Sequence, residues 1–579
     1  MSRPLRILFL SHSFNSLTQR LYVELSERGH EVSVEFDIND AVTADAVRLY
    51  RPDLVVAPYL RRAIPEEVWR QHVCLVVHPG IRGDRGPSAL DWAIINGEAK
   101  WGVTVLQASA QLDGGDIWAS ADFPMRPARK SSLYRNEVTE AAADALLAAV
   151  ERFTSGSFVP QVLDDRDPAV HGRARPLMPQ AQRRIDWLND DSATILRKIR
   201  SADGAPGVED EILGQLYLLF DACGETELGG RPGEIVARRD GAICRATIDG
   251  AVWIGHLRRI DTHGKTFKLP AVTALGPQAG SVTESPLSLD APEDVTTYRE
   301  IRYAEEGRVG YLYFDFYNGA MSTEQCTRLL HAYHHACTRP TRVIVLLGGR
   351  DFWSNGIHLN IIESAESPAD ESWRNINAMN DLAHAIITTR THLTVAGMRG
   401  NAGAGGVFLA LAADRVCART GIILNPHYKG MGNLFGSEYW TYLLPRRVGR
   451  ERAETITENR LPLGVHAAKR LGLIDDHFAT TVEEFELRVR MLARDLAGDD
   501  AFRCALAEKN RCRTRDEAER PLQSYRDEEL ERLRMNFYGF DPSYHVARYH
   551  FVHRIPHSWT PLHLARHRRL EWNRESAVR

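Results

Sequence analysis

Lysine is scarce in this 579-residue sequence: only eight of its 72 basic residues are lysines, and the rest are arginines. The bland reading is a coding bias towards arginine; the functional one is bidentate anion binding, for which the planar guanidinium suits better than an ammonium. An excess of either charge is also missing. The 72 basic and 76 acidic residues leave a formal net charge of −4, which argues against a chain whose main partner is a nucleic acid backbone. Long apolar runs are absent. The strongest, Gly406 to Ala413, falls far short of the ~20 residues that span a bilayer, and the first ten residues carry no cleavage-like signal. No membrane partner and a cytoplasmic location are therefore expected. The eight cysteines form no CxxC pair, which reads as reduced thiols rather than a disulfide framework or thiolate metal centre; no metal site is expected. What is present is ordinary for a globular chain, 44% hydrophobic and 26% charged. At roughly 150 residues per domain the length predicts three or four domains.

Short apolar runs alternate with helical patterns at the start: residues 5–10, a helix over 17–28, then 31–36, 53–57 and 73–77. This alternation predicts a parallel α/β sheet, with a first domain at 1–172. Turn glycines at 214, 229–230, 233, 241 and 250 space strand-like segments in a second domain, 173–275, and suit a small β-barrel. Residues 276–300, rich in Gly, Ser, Pro and acids, read as a linker. A third unit, 301–482, has buried strands at 309–314 and 343–347 and a glycine-rich stretch at 400–406, and a helical, charged extension with a basic tail fills 483–579.

The run 73–77 leads directly into His78-Pro79-Gly80, and a later strand leads into Leu112-Asp113-Gly114-Gly115-Asp116. Residues leaving the C-terminal ends of strands sit where open α/β sheets bind ligands. His78 and Asp113 on adjacent strand ends predict an orienting pair, the carboxylate holding an imidazole that moves a proton. On spacing alone, a loop histidine and a turn aspartate beside glycines explain the pattern equally well.

Around these residues the sequence resembles the folate-dependent formyltransferases. The likeness runs through His78-Pro79, Arg85-Gly86-Pro87-Ser88-Ala89, Trp92-Ala93-Ile94, Gly102-Val103-Thr104 and Leu112 to Ile117, then Arg184-Ile185-Asp186-Trp187 and Gly230-Arg231-Pro232-Gly233. It implies a Rossmann-like catalytic domain, an OB-like barrel, N10-formyl-tetrahydrofolate as formyl donor, and His78 and Asp113 as catalytic residues. Arg85 and Gly86 are the matching candidates for holding the folate. The family's catalytic asparagine falls at Val76, which donates no hydrogen bond to a formyl oxygen. Hydrolase-type relatives also carry an aliphatic residue there.

Phe352 to Leu359, containing Asn355-Gly356-Ile357-His358, follows a buried strand, and Arg399-Gly400-Asn401-Ala402-Gly403-Ala404-Gly405-Gly406 follows another. Glycines ahead of a helical run leave backbone N–H groups uncovered for an anion; the bland alternative is close helix–strand packing. With Asn318-Gly319-Ala320-Met321, Ala413-Asp414, Leu424-Asn425-Pro426-His427 and Leu444-Pro445-Arg446-Arg447-Val448-Gly449, this order resembles the crotonase (enoyl-CoA hydratase/isomerase) family. The resemblance implies that the N–H groups of Ile357 and Gly405 hold the thioester oxygen of an acyl-CoA. The two hydratase glutamates fall at Phe408 and His427, so the cradle is kept and the hydration pair is lost. Tyr428 and Glu438 lie close by; isomerase members carry a working acid near the latter position. The plain alternative is a core hydroxyl and a surface glutamate.

The two units in one chain resemble a family of hydrogenase-maturation proteins. That likeness implies a relay: formyl passes from the folate to coenzyme A, and formyl-CoA is split to carbon monoxide and CoA, with small-molecule substrates and hydrogenase maturation proteins as partners. Arg135, Asn318 and Arg554 are candidates for contacting CoA. The competing expectations are a formyltransferase or hydrolase with another acceptor, and a non-catalytic one-carbon carrier. His553 and His557 stand four apart, but Pro556 interrupts a helix between them; the tail is expected to cover CoA or to be solvated.

Overall fold

The computed structural model describes residues 3–164, 166–168, 170–261 and 266–569. Its first sheet comprises β1 (Arg6–Ser11), β2 (Glu31–Phe36), β3 (Leu54–Tyr59), β4 (Cys74–His78), β5 (Lys100–Gln107) and β6 (Ile117–Pro124), in the order β2-β1-β3-β4-β5-β6. The helix Ser16–Glu27 starts where Asn15 accepts a hydrogen bond from the Thr18 N–H at 2.9 Å. It buries Leu17, Leu21 and Leu25, one stripe at four-residue spacing. The first four strands are parallel, as expected. β5 and β6 correct the all-parallel expectation: β5 runs antiparallel to β4, and β6 to β5. Between β4 and β5 lies only the short helix Ala89–Ile95, and it packs on the helix Ser192–Ala202 of the second unit instead of returning the chain across the sheet.

The second unit is antiparallel: β7 (Val208–Ile212), β8 (Gln215–Glu225), β9 (Ile235–Arg239), β10 (Ala242–Ala246) and β11 (Ala251–Arg259) in the order β7-β8-β11-β10-β9, with β12 (Leu269–Pro270) on β11. The segment expected as a linker is docked. Arg238 N–H donates to Thr283 O, and Ser285 N–H returns to Arg238 O, both at 2.9 Å. A composition rich in turn residues marks the absence of helix or strand; it does not mark the absence of contacts.

The third unit has two sheets. The larger contains β13 (Ile301–Glu306), β14 (Val309–Phe314), β15 (Val343–Leu347), β17 (Leu393–Met398), β19 (Arg415–Arg419) and β22 (Asp476–Phe478), neighbours in that order. The smaller contains β16 (Phe352–Ser354), β18 (Asn401–Gly403), β20 (Ile423–Asn425) and β21 (Leu463–Gly464). Three times the chain leaves a strand of the larger sheet and enters the smaller one: β15 to β16, β17 to β18 and β19 to β20. Ile357, Gly405 and Tyr428 each lie two or three residues beyond one of these steps, so the repeat delivers all three to one end of the small sheet. Among the described residues no helix is long and apolar enough to cross a membrane.

Helices Val482–Leu496, Asp499–Glu519, Leu522–Tyr538 and Ser543–Val552 follow. Residues 560–569 then return to the first sheet, so this part of the basic tail is docked and not solvated; residues 570–579 lie outside the described residues. The Val34 N–H on β2 donates to Leu564 O at 3.0 Å, and the Phe36 N–H donates to Thr560 Oγ1 at 2.8 Å. His567 is fully buried, with Nδ1 2.7 Å from Ser33 Oγ and Nε2 2.9 Å from Glu35 Oε2. The strap thus satisfies edge groups that β2 would otherwise present to other chains.

Asp351 locks the third unit to the first. Its carboxylate accepts from Ser132 Oγ at 2.6 Å and Asn136 Nδ2 at 2.9 Å, with Arg129 at 3.5 Å. Burial pushes this carboxyl up, but Arg129 and Arg135 outweigh it and hold it below the usual range. Asp351→Ala leaves Arg129 short of a buried partner, and breaking such a network costs about 3–5 kcal/mol. Calorimetry is expected to show a lowered unfolding temperature with the first and third units uncoupled; an unchanged thermogram would refute the role.

Candidate functional site

His78 ends β4, and Val76 lies two residues earlier on the same strand, hence on the same face. The imidazole is buried between two carboxylates: Nε2 is 3.0 Å from Asp84 Oδ2, and Nδ1 is 3.7 Å from Asp113 Oδ2. The expected pair is therefore brought together, but at ion-pair rather than hydrogen-bond distance. Asp84, which sequence reasoning missed, makes the closer contact. Asp113 adopts a left-handed φ of 53° and accepts from the Gly86 N–H at 3.2 Å. Gly86 has φ 114°, and a Cβ there would stand 2.1 Å from Arg175 O, so no larger residue fits. Arg85 is tied through its backbone to Arg173 and Arg175, which places the Arg85-Gly86 segment against the chain leading into the second unit. Asp84 is nearly inaccessible, and its Oδ1 has no hydrogen-bond partner.

The second cluster stands on the small sheet of the third unit. Ala404 adopts φ 48°, which turns the chain so that Gly405 approaches Gly356; a Cβ on Gly356 would stand 3.5 Å from Gly405 N. Neither Ile357 N–H nor Gly405 N–H donates to another group among the described residues. The Ile357 side is fixed by the next residue, whose N–H donates to Asn375 Oδ1 at 3.0 Å. Two uncovered N–H groups on facing loops are what a developing negative charge on a carbonyl oxygen requires.

Glu438 lies directly against this pair. A Cβ on Gly405 would meet Glu438 Oε1 at 2.2 Å, so only glycine leaves room for the carboxyl. Tyr428 Oη donates to Glu438 Oε2 at 2.5 Å and lies 2.9 Å from Ser437 O. Burial raises the Glu438 carboxyl to about 7, with the Tyr428 hydrogen bond opposing, and burial pushes the Tyr428 phenol well above its ordinary value. The expectation of a surface glutamate is thereby excluded: Glu438 is 1% exposed. Phe408 is fully buried and stacks on Tyr428 at 5.4 Å, filling one hydratase glutamate position with an apolar ring. His427 is pushed down to about 4 by burial, with His563 and Arg460 adding to the effect.

The loop around Glu438 is strained. Glu438 and Tyr439 both have left-handed φ, 59° and 58°, each costing about 1–2 kcal/mol for a residue with a Cβ. Asn380 Oδ1 holds the Glu438 N–H at 2.9 Å and Ser437 Oγ at 2.8 Å. From the C-terminal helices, Glu529 reaches the same loop.

A third group of residues lies between the units. Arg135 donates to Asn318 Oδ1 at 3.3 Å and covers the Phe352 ring at 4.8 Å, so two of the three CoA candidates meet. Arg554 has no ion-pair partner among the described residues, and it adds positive potential at Lys268 together with Arg135 and Arg258. Burial lowers the Lys268 ammonium to about 7; its Nζ donates to Tyr317 Oη at 2.8 Å. His553 and His557 diverge: the former contacts Glu363 at 3.2 Å, and the latter packs on Phe36.

Comparison with known proteins divides the chain where the fold does. The formyl transferase family model matches residues 6–150, the formyl transferase C-terminal domain 177–267, and enoyl-CoA hydratase/isomerase 315–538. Methionyl-tRNA formyltransferase of Syntrophus aciditrophicus is 28% identical over 34% of this chain and 63% of its own. A structure of HypX from Aquifex aeolicus in complex with tetrahydrofolic acid superposes with a TM-score of 0.95 at 52% identity, covering 98% of this chain and all of that one. The hydrogenase maturation factor HoxX of Bradyrhizobium diazoefficiens is 57% identical over 97% of both chains. With a formyltransferase half and a crotonase-like half joined in the same order along their whole length, the chain belongs to the HoxX/HypX family of hydrogenase maturation factors.

Proposed function

We propose that this chain makes carbon monoxide for the nickel–iron hydrogenase centre from a folate-borne formyl group, using coenzyme A as carrier. The observation that carries the reading is the second cluster: two uncovered N–H groups beside a buried Tyr428–Glu438 pair, with no carboxylate at either hydratase position. Formyl-CoA has no α-carbon, so enolate chemistry is closed to it, and only the formyl hydrogen and the C–S bond remain to react.

In the first step the CoA sulfur attacks the formyl carbon of N10-formyl-tetrahydrofolate. His78 carries the thiol proton to N10, which leaves with the C–N electron pair. The tetrahydrofolic acid held by the Aquifex aeolicus relative supports folate as the ligand. Val76 supplies no donor to the formyl oxygen, which leaves proton movement as the main task of this site. In the second step the Ile357 and Gly405 N–H groups hold the formyl oxygen. The Glu438 carboxylate removes the formyl hydrogen as a proton; the freed pair becomes the carbon lone pair of CO as the C–S pair departs on sulfur. Glu438 then returns the proton to the thiolate. Arg135, Arg258 and Arg554, gathered around Lys268, suit the phosphates of CoA, and Asn318 lies beside Arg135. The reaction uses small soluble molecules and fits a cytoplasmic protein that serves hydrogenase maturation partners.

The test supplies purified protein with formyl-tetrahydrofolate and CoA, and traps CO on deoxyhaemoglobin. CO without added proteins is the expected result; formate alone would refute the relay, and no turnover would favour a carrier. With formyl-CoA supplied directly, the CO step carries a pH signature. Glu438 works as a carboxylate, and its group is raised to about 7. Below that value it is protonated and cannot accept. The rate is expected to rise about tenfold per pH unit on the acid side and to level off above pH 7. A profile falling with pH there would reverse the assigned role.

A further inference from the structure

We propose that Glu529, on the C-terminal helix Leu522–Tyr538, is a positioning residue for the CO-forming step: its carboxyl holds the strained loop 437–441 in the shape that presents Glu438 to the thioester. The inference rests on the reaction proposed above and adds a residue to it.

The helix buries Leu522, Glu529, Leu533 and Phe537 along one face, while the neighbouring Glu528 and Glu531 are exposed. Glu529 therefore stands where the period requires an apolar side chain, and it is fully buried. A carboxyl in that setting is retained only if its oxygens are satisfied. All of its hydrogen bonds go to one stretch, Ser437 to Thr441, where the loop runs into the helix Trp440–Val448. Oε2 accepts from the Tyr439 N–H at 3.0 Å and lies 3.2 Å from Ser437 Oγ, whose proton points to the closer Asn380 Oδ1; Oε1 accepts from the Thr441 N–H at 2.9 Å and Thr441 Oγ1 at 2.6 Å. The residues contacted, 437, 439 and 441, bracket Glu438; of the two left-handed residues, Glu438 lies between anchors and Tyr439 is itself one. Asn380 grips the same loop from another helix through Ser437 and the Glu438 N–H. Each oxygen of Glu529 takes one backbone N–H. A carboxamide would have to turn its NH2 onto one of those donors, so glutamine is not an adequate replacement despite its equal size. No atom of Glu529 bonds to Glu438, Tyr428, Ile357 or Gly405, but its charge is felt at Glu438 and Tyr428; Thr441→Val keeps that charge and so isolates the positioning role.

The test uses full-length protein with Glu529→Gln, with Glu528→Gln as the control on the exposed side of the same helix. Thr441→Val is a milder variant that removes one contact and keeps the backbone. Two properties are measured. The first is the split between the steps: formyl-CoA formation is expected to stay within about twofold, while CO release from formyl-CoA falls about 10²-fold in Glu529→Gln, as small displacements of catalytic groups do. Thr441→Val is expected to lie between wild type and Glu529→Gln, and Glu528→Gln to match wild type. The second is the infrared carboxyl band of Glu438, identified by its loss in Glu438→Gln; its titration midpoint is expected to move from about 7 towards the ordinary range in Glu529→Gln as water reaches the loosened loop. If Glu529→Gln does not fold, Thr441→Val carries both measurements. An unmoved band and midpoint, or equal losses in both steps, would overturn the assignment. The band needs no CO formation, so a wild-type protein that releases no CO counts against the proposed reaction while the band still decides the role of Glu529.

Discussion

Glu438→Gln is expected to abolish CO release, by about 10²–10⁴-fold, while formyl-CoA accumulates. The carboxyl lies directly against the Gly405 turn and is held by Tyr428 at 2.5 Å. A carboxamide keeps the size and can still accept from the Tyr428 hydroxyl, but it cannot take up a proton. Burial also makes the exchange structurally mild, since a group raised to about 7 already spends part of its time uncharged near neutrality. The loss should therefore appear in the rate and not in the unfolding temperature. Chromatography of the thioester alongside the haemoglobin trap separates the steps: formyl-CoA should rise as CO disappears. Wild-type CO output in this variant would remove Glu438 from the mechanism and return attention to Tyr428.

His78→Ala should do the reverse. Formyl transfer from the folate is expected to fall by about 10²–10⁴-fold, and formyl-CoA supplied directly should still yield CO at the wild-type rate. The imidazole sits between Asp84 and Asp113, so its removal leaves two carboxylates facing a small hole. Asp84→Asn is the informative companion: it preserves the 3.0 Å contact geometry but removes the charge. Comparing the two reveals whether the closer acid orients the ring or sets its charge. Normal folate turnover in His78→Ala would sink the assignment of the first site.

What the sequence disclosed about these sites follows from how each residue is placed. His78 closes an apolar strand, and Gly405 precedes an apolar helix, so both stand at boundaries that periodicity marks. Ile357, Gly405 and Tyr428 follow from the order of loops along the chain. Asp84 was missed because one acid in an Arg-rich glycine loop resembles any solvated turn, and only the folded loop brings it to His78. Glu529 was invisible for a related reason: Glu528 and Glu531 share its composition, and only packing distinguishes the buried member. The antiparallel β5 and β6 escaped because apolar runs carry no direction. His567 lies among arginines that read as a tail, and its partners Ser33 and Glu35 belong to the other end of the chain.

That last contact has a consequence in time. Ser33 and Leu564, which meet at the edge of β2, are separated by 531 residues. Chains emerge from the ribosome at about 5–20 residues per second, and N-terminal domains fold first. The first sheet therefore waits on the order of half a minute to two minutes with its β2 edge uncovered, until the 531 residues that separate the two partners have been made. The strap that seals this edge is thus made long after the sheet it covers, and a chain cut short before Thr560 leaves that edge adhesive.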